Sequence, residues 1–518
     1  MLIALLASAL GARPAYPAFS LGVASGEVES RSAKVWAHAN RGGRVKAQLA
    51  FDRRFSRRVK KATLKIDIEA GLTIQKRFRG LRPGTEYWFR FCRRGGKGCS
   101  DKGRFRTPPR DGRSKKIHFA VTGDADPTAL PGESAPFYGK YRAFRSMRRE
   151  RNDFNVFMGD TIYSDTGVNG PAALTRAAKQ AKYEEGLELR NYRKLRNSGP
   201  LYNHWDDHEF INDFSIPEDG EKLYRAGVKA FKDFAPVSFS KRRGLYRTFR
   251  WGKNVEVFFL DERSFRDAKA DFGGACDNPD TGAPDLAPTA PDDKRALFSL
   301  LIPSLAQPVS QACKDALNDP GRTLLGRRQL SRFLKDVKRS KARWKLVMNE
   351  TPIQQFYGLP YDRWEGYAYE RVELLQRLRQ EAGAGGDLVF FTTDTHAAFA
   401  NVVRERTFDD DYSPANAGSA TSETPFNDYV IGPVATEPFW PEIDAVTGTE
   451  GSGELLSQAF FKPDPPDGVG MMCSQGDQNS YAQVSAGKNK LRIAYKTEDG
   501  ERVTDVDEEP CGPYVLKR

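Results

Sequence analysis

Histidine is scarce in this chain: five occur among 518 residues, at positions 38, 118, 204, 208 and 396. That supply excludes a site built mainly from imidazoles, so any centre holding more than one metal ion must lean on carboxylates. Cysteine is also sparse. The six cysteines contain no C-x-x-C spacing, which argues against a cysteine-ligated zinc site. No stretch of about 18 consecutive apolar residues occurs, so no transmembrane helix or membrane anchor is expected. Internal repeats are absent, as is the interleaving of aromatic and basic residues that marks nucleic-acid stacking surfaces. A dedicated nucleic-acid partner is therefore not expected.

What is present begins with charge. The net charge of +13 suits acidic partners such as phosphate esters, nucleic acid or anionic lipid, and equally a solvated surface with no partner. The opening "MLIALLASALGA" reads as a short signal-peptide core with a small-residue cleavage region, assigned to residues 1–18. The cysteines fall into local pairs: Cys92 with Cys99, Cys276 with Cys313, and Cys473 with Cys511. Such usage fits an oxidising compartment, although spacing alone does not fix connectivity. A secreted, periplasmic or cell-surface protein is expected, as a monomer.

The length calls for two domains, one of them large. Residues 19–108 read as short strands: "FSLGVASG", "SAKVWAHA", "RVKAQLAF", "TLKIDIEA", "IQKRFRG", "EYWFRFC" and "KGRFRTP". This is the pattern of a fibronectin- or Ig-like β-sandwich, and "LRPGTEYWFRF" carries the tyrosine-corner signature, with Tyr87 in a structural role. His38 belongs to this domain and is expected to be structural as well. "TPPRDGRSKK" (107–116) is a linker. From 115 to 518 apolar strands alternate with helical patterns, an α/β layout. The strands are "KIHFAVTGD", "FNVFMGD", "GPLYNHWDDHE", "NVEVFFLDERSF", "ARWKLVMNETP" and "GDLVFFTTDTH"; helices are expected in "YGKYRAFRSMRRER", "GRRQLSRFLKDVKRS" and "RVELLQRLRQEAG". "SYAQVSAGKNKLRIAYKTEDG" reads as a hairpin of edge strands. Segments 273–321 and 408–428 read as long surface insertions, either lids or decoration.

The strand ends carry the chemistry. One delivers Asp124 and Asp126, the next Asp160 followed by Tyr163 and Asp165, the next Asp206, Asp207, His208 and Glu209; then come Asn349 with Glu350, and Asp394 with His396. A single aspartate after a strand is an ordinary cap or turn residue. Five such ends in succession are not ordinary, and clustered carboxylates repel one another unless cations neutralise them. The pattern implies bound metal ions, with Asp160 as the natural bridge between two of them and Tyr163 reaching one. His118, inside a strand, and His204, beside the acids, are expected to be packing residues.

The motifs "FSLGVASGEVESRSAKVWAHA", "GDTIYSD", "WDDHEFIND", "FFLDERSFRD", "LLGRRQLSRFLKDVKRSKARWKLVMNETPI", "YDRWEGYAYER" and "TTDTHAAF" resemble, in order and spacing, the PhoD-type alkaline phosphatase/phosphodiesterase family of the calcineurin-like metallophosphoesterases. The resemblance implies a four-layer domain, two mixed β-sheets flanked by helices, after the N-terminal sandwich. It implies a dinuclear centre with one ion on Asp124, Asp160, Tyr163 and His396, and a second on Asp160, Asp207, Asp394 and Asn349. His208 then corresponds to the imidazole near the leaving group. The family commonly has cysteine where this chain has Asp124. Its Fe3+ and Ca2+ are the expected ions, with Zn2+, Mn2+ or Mg2+ left open by that aspartate. The two cations would activate a water and take up charge on the ester's non-bridging oxygens. The expected substrate is a phosphate ester, monoester or diester. Arg263 and Arg266 are candidates to clamp its phosphate, or else pair with Asp261 and Asp267. Asp362, Trp364, Glu365, Gly366 and Tyr367 either wall the pocket or pack a loop beside it. Rival readings are a non-catalytic surface protein that binds polyanions through "RRFSRRVKK" (53–61), and a secreted nuclease or phospholipase-type diesterase.

Overall fold

The computed structural model describes residues 18–93, 98–408 and 423–518; the signal segment expected at 1–18 lies, but for its last residue, outside them. The first seven strands form two facing sheets. Val23–Glu29, Ser32–His38 and Thr73–Arg79 make one; Arg58–Lys65, Arg44–Ala50, Glu86–Arg93 and Gly103–Arg106 make the other. Alternating apolar residues such as Val35, Leu49, Phe89 and Phe105 fill the space between them. The Tyr87 hydroxyl accepts a hydrogen bond from the backbone N–H of Arg82 at 2.8 Å, which is the tyrosine corner. The sandwich docks on the rest of the chain through buried polar contacts, among them Trp36 Nε1–H to the Asp233 carbonyl at 2.7 Å.

Beyond residue 115 two seven-stranded sheets stack face to face. In the first, Leu201–His204, Phe154–Met158 and Ile117–Ala125 run parallel. In the second, Val255–Phe259, Trp344–Met348 and Leu388–Thr392 run parallel. Both sheets also contain antiparallel pairs, so both are mixed. Phe119, Val121, Phe154, Val257, Leu346 and Phe391 pack between the sheets. Helices Arg142–Arg149, Arg190–Ser198 and Glu221–Phe234 cover the outer face of the first sheet through residues such as Phe144, Leu195 and Phe231. Arg327–Arg339 and Ala368–Gln380 cover the second with Leu330, Phe333, Leu374 and Leu378. The result is the expected four-layer arrangement.

Three expectations need correction. The fourth sandwich strand, expected in "TLKIDIEA" (63–70), runs instead over Arg58–Lys65. The hairpin strand Ser480–Ala486 is not at an edge; it pairs antiparallel with Ile117–Ala125 in the middle of the first sheet, because Ala482, Val484 and Ala486 present a buried face. Segment 408–428 is not wholly an insertion. Residues 409–422 lie outside the described residues, but Glu423–Val430 is a strand parallel to Leu388–Thr392. Its polar composition hides an alternation that buries Thr424, Phe426 and Asp428. Segment 273–321 does fold as an excursion, with helices Asp292–Phe298 and Gln311–Leu317. Disulfides join Cys92 to Cys99, Cys276 to Cys313 and Cys473 to Cys511. Among the described residues no helix is long and apolar enough to cross a membrane.

One buried amine fixes the loops that follow two of the parallel strands. Lys179, on helix Arg176–Glu188, is fully buried and donates to Ser164 Oγ at 2.7 Å and to the Phe210 carbonyl at 2.6 Å. Burial pulls its ammonium down to about 7 from the ordinary 10.5. Between those values the unfolded chain holds the proton and the folded chain does not. Folding is therefore favoured progressively as pH rises through that window, and this contribution is lost as pH falls towards 7. Unfolding free energies of wild type and Lys179→Met, measured at pH 7, 8 and 9, should diverge in favour of wild type by up to ~1.4 kcal/mol per pH unit. A constant difference would contradict the neutral buried amine.

Candidate metal centre

The two parallel sets end at the same rim of the stacked sheets. Two glycines let their loops meet. A β-carbon on Gly123 would come within 2.7 Å of the Thr393 side chain, and one on Gly159, whose φ is +97°, within 2.5 Å of Asp206 Cβ. The residues that follow turn sharply: Asp124, Asp160, Asp394 and His396 all have left-handed backbone, with φ of 56°, 46°, 71° and 53°. Aspartate and histidine tolerate this region better than most side chains, but at an energetic cost. Four such residues in one cluster aim side chains inward that a relaxed strand exit would point elsewhere.

Among the described residues the ligand atoms of Asp124, Asp160 and His396 all lie within 4.8 Å of one another, and the same holds for Asp160, Asp207 and His208, for Asp206, Asp207 and Asp394, and for Asp207, Asp213 and Asp362. Asp160 and Asp207 link these groups into one chain of adjoining sites. The Tyr163 hydroxyl is 2.9 Å from His396 Nε2, which puts its oxygen at the first group. Its ring stacks on that of His208 with centroids 4.1 Å apart. Asn349 is fully buried, donates through its amide to the Thr351 carbonyl, and leaves Oδ1 without a partner.

A frame of hydrogen bonds holds the cluster. Glu209, fully buried, accepts from the backbone N–H groups of Asp160, Thr161 and Asp206 at 3.2, 2.8 and 2.8 Å, tying two of the loops together. Asp165 accepts from His208 Nδ1 at 2.6 Å and from the Asn212 N–H at 2.7 Å. Glu442, on helix Phe439–Thr447, accepts from His396 Nδ1 at 2.7 Å, leaving Nε2 to face the acids. Asp126, by contrast, is spent on the Thr128 N–H and the Thr166 hydroxyl and belongs to the scaffold. His204 likewise packs, 2.8 Å from Glu350 and bonded to the Leu260 carbonyl. His118 is only partly buried, on the strand Ile117–Ala125.

The two arginines differ from expectation. Arg263 is fully buried, with Nε 2.6 Å from Asp206 and Nη1 2.7 Å from Asp362. Arg266 donates Nη1 to Asp362 at 2.6 Å and Nη2 to the carbonyl of the same residue at 2.9 Å. The carboxylates that hold them are thus Asp206 and Asp362, not Asp261 and Asp267. Most of their donors are thus engaged by protein oxygens, while Arg263 Nη2 has no hydrogen-bond partner. Arg263 still borders the cluster, with Nη2 3.6 Å from Asp394 and 3.9 Å from Asp207. Asp362 anchors both cations, and its carboxylate also lies within 4.8 Å of those of Asp207 and Asp213 at the edge of the cluster. Burial would raise its carboxyl, yet Arg263 and Arg266 hold it well below the usual range.

The electrostatics of the remaining acids point the other way. Burial first, and then neighbouring carboxylates, push Asp160 and Asp394 well above the ordinary range. Burial lifts Asp124 to about 7 against the pull of His396, and burial with Asp160 and Asp124 raises the Tyr163 phenol. Asp124 Oδ2 is buried with no partner. Anionic oxygens so placed need cations. The donor set of carboxylates, a phenol oxygen, an amide oxygen and an imidazole fits hard or borderline metal ions. Asp124, Asp160, Tyr163 and His396 are suited to hold one, and Asp160, Asp207, Asp394 and Asn349 to hold another. Beside them, burial disfavours the His208 imidazolium, but Asp207 and Asp165 outweigh it and hold the ring up at about 9.

Comparison with known proteins agrees with this layout. Residues 129–458 match the PhoD-like phosphatase family and residues 5–109 match the N-terminal domain of PhoD-like phosphatases. The chain belongs to the PhoD-like phosphatase family. A curated relative, alkaline phosphatase D of Bacillus subtilis (strain 168), is 25% identical over 435 residues, 74% of this chain. The match spans 65% of that protein's length. Among solved structures, one of PhoD aligns over 98% of this chain and 90% of its own, with a TM-score of 0.70 at 20% identity. A purple acid phosphatase from yellow lupin (Lupinus luteus) seeds covers 93% of this chain and 72% of its own, with a TM-score of 0.54 at 11% identity. At those identities the likeness is one of fold, and it supports the four-layer architecture of a PhoD-like phosphatase.

Glu442 offers the cleanest test of the cluster's frame. A carboxylate behind a ligating histidine typically contributes 10- to 100-fold in metal affinity. Glu442→Gln should therefore lose metal on dialysis about 10-fold more readily than wild type, with little change in thermal stability after reloading. Unchanged retention, read by elemental analysis, would remove Glu442 from the site.

Proposed function

We propose that this PhoD-like phosphatase is an exported, metal-dependent phosphoesterase that hydrolyses phosphoric monoesters or diesters. The observation that carries the reading is Asp160, a buried carboxylate shared by two adjoining ligand groups, with the His208 ring beside it. The bound ions, a dinuclear centre on this reading, supply Lewis-acid stabilisation of phosphoryl charge and lower the pKa of attacking water. Fe3+ with Ca2+ is the pair that the family resemblance favours; Asp124, in the place where cysteine is common, suits Zn2+, Mn2+ or Mg2+ as well.

The protein's own residues do the rest. Asp165 accepts the His208 Nδ1 proton at 2.6 Å, so the ring presents Nε2 to the ester. Protonated there, His208 supports charge on the departing oxygen or gives it a proton. Tyr163, stacked at 4.1 Å, stops the ring from swinging away. Asp362 keeps Arg263 oriented at the edge of the acids, where it positions Asp206 and offsets part of the negative charge. Three disulfides support folding in an oxidising compartment, outside the cytoplasm.

Two substitutions separate ligand from acid. Asp160→Asn should lower turnover of a chromogenic phosphomonoester and its diester analogue by at least ~10³-fold and deplete bound metal, because it touches both ions. His208→Ala should lower turnover by ~10²-fold or more while metal remains bound. Near-normal turnover and metal content in Asp160→Asn would overturn the shared-ligand role. A metal-free His208→Ala protein would place His208 among the ligands instead.

A further inference from the structure

Away from the acids, on the outer side of the second sheet, lies a cavity of about 860 Å³ whose wall carries almost only positive charge. Lys241, Arg242 and Arg243 line it from one loop. Arg328, Arg332, Lys335 and Arg339 line it from helix Arg327–Arg339, with Arg327 at the rim. The spacing along the helix puts these four cations on one face. Against them stands one carboxylate, Asp336, which accepts from the Tyr246 hydroxyl at 3.1 Å. Arg327 pairs with Glu373 at 2.7 Å; among the described residues the other seven cations have no ion pair.

A solvated helix face does not ordinarily look like this. On the neighbouring helix Ala368–Gln380, Arg377 reaches both Glu373 and Glu381 at 2.9 Å, the usual i,i+4 neutralisation. Helix Arg327–Arg339 has no acid in its first turn. The opposing loop is also firmly placed. Asp261 accepts from the Leu245 N–H at 2.6 Å. Half-buried Phe265 fills the space beside both Gly244 and Gly326, where added β-carbons would fall 2.9 Å from its ring and 2.8 Å from its Cβ. Seven like charges gathered around one concavity, six of them on exposed residues, repel one another with Asp336 as the one acid among them. Such a surface lowers its energy by taking up anions, and its potential attracts them from a distance.

We propose that this groove is a binding site, separate from the metal centre, for a chain of repeated phosphates. None of the metal-cluster residues lines it, so the inference does not depend on the chemistry proposed there. Repetition is indicated by geometry: Arg328, Arg332, Lys335 and Arg339 follow one another at about one helical turn, ~5.4 Å apart, and span roughly 16 Å along the groove. A single orthophosphate satisfies two or three such groups, whereas a chain satisfies the row. Stacking platforms for nucleobases are few: Tyr246 is buried, and half-buried Phe265 is the other aromatic residue of the lining. A base-free phosphate chain is therefore favoured over nucleic acid.

The probe is end-labelled long-chain inorganic polyphosphate, titrated into the full chain across a salt series. Arg328→Glu/Lys335→Glu should weaken binding at least 10-fold at low salt. It should also make the slope of log affinity against log salt shallower by about 1.5 to 2, as expected when two phosphate contacts are lost. Lys61→Glu/Lys65→Glu, on the exposed sandwich strand, makes the same change in net charge and should weaken binding less than 2-fold. Arg328→Gln/Lys335→Gln provides a milder version, and thermal midpoints of all variants report that each is folded. Equal losses from both pairs, or none from the groove pair, would overturn the proposal. So would full competition by orthophosphate at equal phosphate concentration. Binding of single-stranded DNA 10-fold tighter than polyphosphate would overturn the choice of ligand.

Discussion

Buried like charge is the constraint around which this molecule is arranged. Asp124, Asp160, Asp206 and Asp207 are brought together with almost no contact with water. In that setting every anion raises the cost of the next. The fold tolerates the arrangement because each acid sits at the end of a strand whose remaining residues are apolar and locked between two sheets. Phe119, Val121, Val156 and Met158 cannot shift without opening the inter-sheet core, so the carboxylates that follow them cannot spread apart. The left-handed backbone at Asp124, Asp160, Asp394 and His396 belongs to the same bargain: strain is concentrated where ligands must converge.

Around this centre the structure distinguishes two ways of managing charge. Asp206 and Asp362 are neutralised internally by Arg263 and Arg266, and Glu209 by three backbone N–H groups. These acids are frame. Asp124 has no arginine beside it and leaves Oδ2 unpartnered; Asp394 meets Arg263 only at 3.6 Å and is held up by burial and by its neighbours. Asp206 and Asp362 each still leave one carboxylate oxygen unpartnered, so direct guanidinium contact, not full satisfaction, sets them apart from Asp124. Arg263, a candidate substrate clamp from its motif, has Nε and Nη1 engaged by Asp206 and Asp362.

Much of this was legible in the sequence because it rests on local pattern. Six of the seven sandwich strands, Tyr87 and the parallel strands ending in Asp124, Asp160, Asp207, Asn349 and Asp394 follow from alternation, apolar runs and turn residues; the charged strand Arg58–Lys65 lies five residues before its expected place. The partners that orient the centre were not legible. Glu442 lies 46 residues from His396 and Asp165 lies 43 from His208. Asp362 is 99 residues from Arg263, and nothing local pairs any of these acids with its partner. The strand Glu423–Val430 hid behind polar composition, and Ser480–Ala486 looked like an edge because sequence does not reveal which neighbour a hairpin will take. Asp165 stands in the acidic exit two residues after Tyr163, but its bond to His208 has no local signature.

The central claim is that cations hold the acids together. The most direct measurement is the thermal unfolding midpoint of chelator-treated protein, with bound metal counted, before and after stoichiometric return of divalent or ferric ions. The account predicts about two ions per chain in the loaded protein, a midpoint several degrees lower after stripping, and recovery on return, because binding to the folded state alone stabilises it. A stripped protein with the same midpoint as the loaded one, and no ions taken up when they are restored, would contradict it.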